Sequence, residues 1–144
     1  MVAKERVMKK IIKYSILSLI LVCLICGAVY KFVPFNIAKR LGIYDNEVAY
    51  IVPYSSESVK ISGQGCDEVA ALLNGLKGTP FSRKGIIGAA PEQFVNIVYT
   101  DGSYSRWQIG GGWVSVNANG KWNDYKIKED DVLARINAIL GYSR

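Results

Sequence analysis

Gln93–Ile127 reads QFVNIVYTDGSYSRWQIGGGWVSVNANGKWNDYKI, and the fold follows from this stretch. Gln93–Thr100 alternates apolar and polar residues and is rich in β-branched and aromatic side chains, the pattern of a half-buried strand. Asp101-Gly102 is a hairpin signal that Tyr104–Ile109 answers. Gly110-Gly111-Gly112 marks a second turn before Trp113–Asn117, and Asn119-Gly120 a third before Lys121–Ile127. Links this short cannot carry a parallel crossover, so consecutive strands must be antiparallel neighbours.

Helical signals flank this meander. Cys66–Lys77 (CDEVAALLNGLK) spaces Val69, Leu72, Leu73 and Leu76 on one helical face, with Asp67 and Glu68 in the first turn. Gly78 and Pro80 are expected to end that helix, and residues 78–92 to form a loop with a short strand at Ile86-Ile87. Residues 129–140 carry Val132, Leu133, Ile136, Ile139 and Leu140 as a second apolar stripe, closed by Gly141. Upstream, Glu47–Tyr54 reads as a strand whose end Pro53 confines to an edge. Ser55-Ser56-Glu57 reads as a turn, and Ser58–Ser62 as the returning strand. The expected class is α+β, in the order ββ-α-ββββ-α, with two helices covering one face of an antiparallel sheet over residues 47–141.

The amino-terminal quarter has a different character. Tyr14–Tyr30 (YSILSLILVCLICGAVY) holds no charge and lies between Lys13 and Lys31. With its apolar flanks it gives a helix of roughly 34 Å, enough for the hydrocarbon core of a bilayer. Residues 14–33 are therefore read as a transmembrane anchor and the lipid bilayer as their partner. Residues 1–13 form a basic tail and residues 34–46 (PFNIAKRLGIYDN) a linker. Five Lys/Arg precede the apolar run and three follow it by residue 40, which favours the amino terminus inside and the carboxyl-terminal domain outside. A signal peptide cleaved after Ala28 is the alternative, but the run has no polar segment before that position and continues through Val33.

Charge and composition exclude some functions. Residues 1–40 hold eight Lys/Arg against Glu5, a net of +7, whereas residues 41–144 hold ten basic and eleven acidic residues, a net of −1. The basic excess therefore belongs to the membrane flank, and nucleic acid is not an expected partner. The chain has no histidine, which removes the usual general base and the commonest metal ligand. Cys66 stands at a helix start with no base to activate it and with Asp67 and Glu68 opposing a thiolate. Cys23 and Cys26 lie within the apolar run, where redox chemistry is not expected. Gly110–Gly112 is followed by a strand and no Lys-Ser pair, so it is not a phosphate loop. No catalytic residue, metal or cofactor is predicted, and the chain is read as a non-enzyme.

The aromatic residues are more informative. Alternation along the hairpins puts Val114, Val116, Trp107, Ile109, Tyr125 and Ile127 toward the helices. Tyr104, Arg106, Trp113 and Trp122 then share the opposite face, as an aromatic platform suited to sugars or peptides. The competing reading is that cross-strand aromatic pairs simply stabilise an open face.

A membrane segment, then strands, a helix, the hairpin VNIVYTDGSYSRWQI, a further strand pair and a closing helix resemble small membrane-anchored and lipoprotein cell-envelope domains of Gram-positive bacteria. Val22 and Ile25 stand where a lipoprotein signal carries a small residue, so the chain departs from the lipoprotein members. The resemblance implies an envelope setting and transfers no site residue. The expected function is a membrane-held, non-catalytic module that binds a protein partner in the envelope. A wall polymer or carbohydrate bound at the aromatic platform is the alternative ligand.

Overall fold

The computed structural model describes residues 2–53, 59–82, 92–129 and 131–140. The expected turn at Ser55–Glu57, the short strand at Ile86-Ile87 and the helix stop at Gly141 lie outside them. The chain divides into two units, residues 1–33 and 34–144.

The first unit is one helix, α1 (Val2–Phe32). Its segment Val7–Phe32, 26 residues, is long and apolar enough to cross a membrane, and none of it is buried. Leu, Ile and Val side chains lie exposed all round it. A soluble core helix would have one apolar face against a partner element.

The second unit is α+β. Its strands are β1 (Phe35–Asn36), β2 (Val48–Pro53), β3 (Lys77–Pro80), β4 (Gln93–Tyr99), β5 (Tyr104–Gly110), β6 (Trp113–Asn117) and β7 (Trp122–Ile127). Helix α2 spans Ile37–Arg40, α3 Gln64–Gly75 and α4 Val132–Ile139. The strands form a single antiparallel sheet in the order β1-β3-β7-β6-β5-β4-β2. The three hairpins β4–β5–β6–β7 stand where their turn residues put them. In the tightest, only Gly111 and Gly112 link the strands, and Gly112 takes φ +74°, a conformation that side chains disfavour.

Alternation along these strands sorts the faces as their sequence implies. Trp107, Ile109, Val114, Val116, Tyr125 and Ile127 are buried in one cluster, joined by Val69 and Leu73 of α3 and by Val132 and Ile136 of α4. Inside it the Trp107 indole N–H donates to Ser105 Oγ (3.0 Å), which also shares a hydrogen bond with the Tyr99 hydroxyl (2.8 Å). Ser105 is fully buried, and this pairing satisfies the polar tips of two large aromatic side chains.

Three elements differ from the sequence expectation. First, residues 34–46 are not a free tether at their start. Ile37 and Ala38 are fully buried, Phe35 packs edge-on to Tyr125 (5.7 Å, 87°), and the Ile37 N–H donates to the Leu76 carbonyl (3.1 Å). Asn36 caps α2 by accepting from the Lys39 N–H (2.8 Å), while its amide donates to the Asn74 carbonyl (2.7 Å). Second, Lys77–Pro80 is a strand and not a helix end: β3 lies between β1 and β7. A Cβ on Gly78 would lie 3.0 Å from Ile37 Cδ1 and from Tyr125 Cβ, so glycine is what lets α2 close onto the sheet. Third, of the return strand expected at 58–62, the described residues 59–62 form one bridge, between Ile51 and Ile61 (2.8 and 2.9 Å). The observed order therefore adds β1, α2 and β3 to the expected one and leaves the first strand pair incomplete.

Candidate functional site

The face of the sheet opposite the main core carries the candidate residues. Cross-strand register aligns Val52, Asn96, Arg106, Asn117 and Trp122 in one row over β2, β4, β5, β6 and β7. The next row aligns Tyr50, Val98 and Tyr104. Side chains directly opposite across strands sit about 5 Å apart at Cβ, so these rows form continuous surface.

Of the four residues predicted for the platform, three are on this face and exposed. Tyr104 is 53% accessible, Trp122 is 42% accessible, and Arg106 is exposed. The fourth, Trp113, is corrected: it is only 6% accessible. The reason is its partner across the β5–β6 ladder, Gly110. Glycine has no side chain to hold the indole off the sheet. The ring lies across it so closely that a Cβ at 110 would sit 2.3 Å from Cε2. Beside it Ser115 is fully buried and donates to Asp124 Oδ1 (2.5 Å). The β6 part of this face is thus packed, and the accessible part lies toward β5, β4 and β2.

That accessible part is an open depression of about 450 Å³. Tyr104 and Arg106 line it together with Tyr50, Val52, Lys60 and Asn96. The Lys60 ammonium stands 4.7 Å over the Tyr50 ring, and the Arg106 guanidinium 5.1 Å over the Tyr104 ring. Both are cation–π distances. Among the described residues neither cation has a carboxylate partner and no acidic residue lines the depression. Asp101, in the neighbouring β4–β5 turn, is engaged locally: its Oδ1 accepts from the Ser103 N–H (2.8 Å) and hydroxyl (2.6 Å). Those two hydrogen bonds hold its carboxyl below the ordinary aspartate range.

Tyr50 and Lys60 are site residues that the sequence reading missed. Tyr50 shares the open face with Val52 by alternation about the buried Ile51, and a bulge precedes it. Val48 pairs with Tyr99 and Tyr50 with Val98, leaving Ala49 unpaired. In a regular strand Val48 and Tyr50 would share a face; the extra residue turns Val48 to the core. Lys60 is brought in by the Ile51–Ile61 bridge. Both signals are short-range: alternation along Glu47–Tyr54 and the return expected at Ser58–Ser62.

The other reactive groups lie elsewhere. Cys66 is 1% accessible in α3; burial, and then Asp67, push its thiol pKa up, which disfavours the thiolate. Cys23 and Cys26 are on α1. No group of three potential metal ligands occurs among the described residues. No protein family, curated protein or solved structure matches the chain.

Proposed function

We propose that the chain is a single-pass membrane protein that displays a non-catalytic binding module outside the cytoplasm, its amino terminus inside. The ligand occupies the open face around Tyr104 and Arg106. The observation that carries this reading is the pairing of two tyrosine rings, Tyr104 exposed and Tyr50 half-buried, with cations that have no carboxylate partner among the described residues, on an antiparallel framework. Large amphipathic side chains held on strands are the usual anchors of recognition surfaces. The apolar length of Val7–Phe32 supports anchoring, and the excess of Lys/Arg before it supports the orientation. The missing histidine and the buried, raised-pKa thiol support a binding role over a catalytic one. Between the two ligand classes, a protein partner and a wall polymer, this surface favours the polymer. Its two cations, each laid over a tyrosine ring, suit an anionic chain that repeats its charge.

Site-specific photocrosslinking tests the reading in intact cells. A photoreactive residue at position 104 is compared with one at Arg135, which is exposed on α4. Adducts from position 104 alone are expected. Identical adducts from both positions, or none from 104, would remove the open face as the binding site. A membrane-impermeant thiol reagent reads orientation: Lys121→Cys in a chain lacking the native thiols is labelled in intact cells if the domain is outside.

A further inference from the structure

We infer that the depression between β2 and β5 is selective for phosphate-bearing polyol or sugar polymers in solution around the membrane, as opposed to neutral glycans, acidic peptides or lipid headgroups. The inference rests on the binding-face reading above and names its ligand. Three observations carry it.

The first is charge. Lys60 and Arg106 are the charged residues of the depression, and both are cations without a carboxylate partner among the described residues. The domain as a whole is close to neutral, so this is local complementarity to an anion and not a general basic surface. The second is the form of the two cations. Each stands over a tyrosine ring, and the two tyrosines lie on β2 and β5 with β4 between them, about 10 Å apart in backbone at the ordinary strand spacing. A guanidinium laid over a ring keeps its N–H fork free to hold two oxygens of one phosphate, which a point charge does less specifically. Between the two pairs the Asn96 amide and the tyrosine hydroxyls offer hydrogen bonds to hydroxyl groups. An anion repeated along a hydroxylated chain satisfies both cations and the polar groups between them. A neutral sugar would leave the cations unanswered.

The third observation concerns the source of the phosphate. The chain enters this unit at β1, one edge of the sheet, whereas β5, β4 and β2 form the other edge. Four to six strand spacings, roughly 20–30 Å, separate β1 from the site. Within this unit the depression therefore lies at the sheet edge farther from β1, where the chain enters, and a soluble polymer is the source proposed.

The test uses the full chain in detergent micelles and titration calorimetry with four probes: a glycerol-phosphate oligomer, a neutral maltooligosaccharide, poly-glutamate, and vesicles containing phosphatidylglycerol. Expected is binding of the glycerol-phosphate oligomer that weakens with added salt. Lys60→Gln and Arg106→Gln should each weaken it about tenfold, and Arg106→Lys several-fold through loss of the fork. Lys128→Gln, an exposed cation outside the depression, should leave it unchanged. Both lining cations are exposed, so an unchanged urea midpoint will show that their variants fold. Equal binding of maltooligosaccharide overturns the anion requirement, equal binding of poly-glutamate overturns phosphate selectivity, and equal binding of vesicles overturns the soluble source. Binding of none of the four overturns the inference entirely, while crosslinks from position 104 still decide the binding-face reading separately.

Discussion

Gly110→Ala tests the packing that removes Trp113 from the exposed platform. The added Cβ would lie 2.3 Å from Trp113 Cε2, 2.4 Å from Nε1 and 2.5 Å from Cζ2. Ordinary carbon contacts begin near 3.5 Å, so the indole must retreat by about 1 Å or more. It cannot do so by bending a flexible tip, because all three atoms belong to a rigid ring. If the core yields around it, overpacking costs about 1–3 kcal/mol. If the ring is expelled, the loss approaches the roughly 3–5 kcal/mol of truncating a buried aromatic side chain. We expect about 2–4 kcal/mol, a large part of a domain's usual stability of about 5–15 kcal/mol. Urea unfolding of the full chain in micelles, followed by circular dichroism, measures it. The decisive comparison is a double-mutant cycle with Trp113→Val. With the indole gone, Gly110→Ala should cost less than about 0.5 kcal/mol, since alanine is the better strand residue once there is space. Equal costs in the two backgrounds would refute the reasoning, as would a stable Gly110→Ala protein with Trp113 still buried.

Two further predictions concern the edges of the fold. Ile37→Ala removes a fully buried side chain of α2 and should destabilise the domain by about 2–4 kcal/mol, measured by the same unfolding assay; a free tether at this position would give no change. Stability should also fall at both ends of the pH range. Asp101 has a lowered pKa in the fold, so its contribution is complete above the ordinary value near 3.9 and is lost as pH falls through the folded value. Burial raises the Tyr99 pKa, with the Ser105 hydrogen bond opposing it, so its contribution is complete below the ordinary value near 10 and fades as pH rises through the folded value. Asp101→Asn should flatten the acid arm of a thermal-melt series, and Tyr99→Phe the alkaline arm.

The legible part of the fold was the part governed by local chemistry. The hairpin turns at Asp101-Gly102, Gly111-Gly112 and Asn119-Gly120 sit between strands of clean alternation, so neighbours and faces follow from residues only a few positions apart. Helix α3 follows from the spacing of Val69 and Leu73, shifted by two residues at each end. Of the site, Tyr104, Arg106 and Trp122 were legible because alternation alone assigns their face. Trp113 obeyed the same alternation, yet exposure depends on what stands opposite, and opposite it is a glycine. Phe35–Arg40 reads as a connector because a two-residue strand and a single helical turn leave no periodic signal; their burial comes from docking on β3 and α3.

The amino acids in order were sufficient for an apolar helix of membrane-spanning length, an antiparallel meander of four strands, and a division of its side chains between two faces. These are short-range properties, set by hydrophobic period and turn chemistry. Long-range pairing decided the rest. It placed β2 beside β4 and β3 between β1 and β7, and it inserted the bulge at Ala49 that turns Val48 to the core. It also carried Lys60 to the same surface as Arg106. Each of those contacts joins residues tens of positions apart, and the free energy that selects them comes from packing across the whole sheet, which no local window contains.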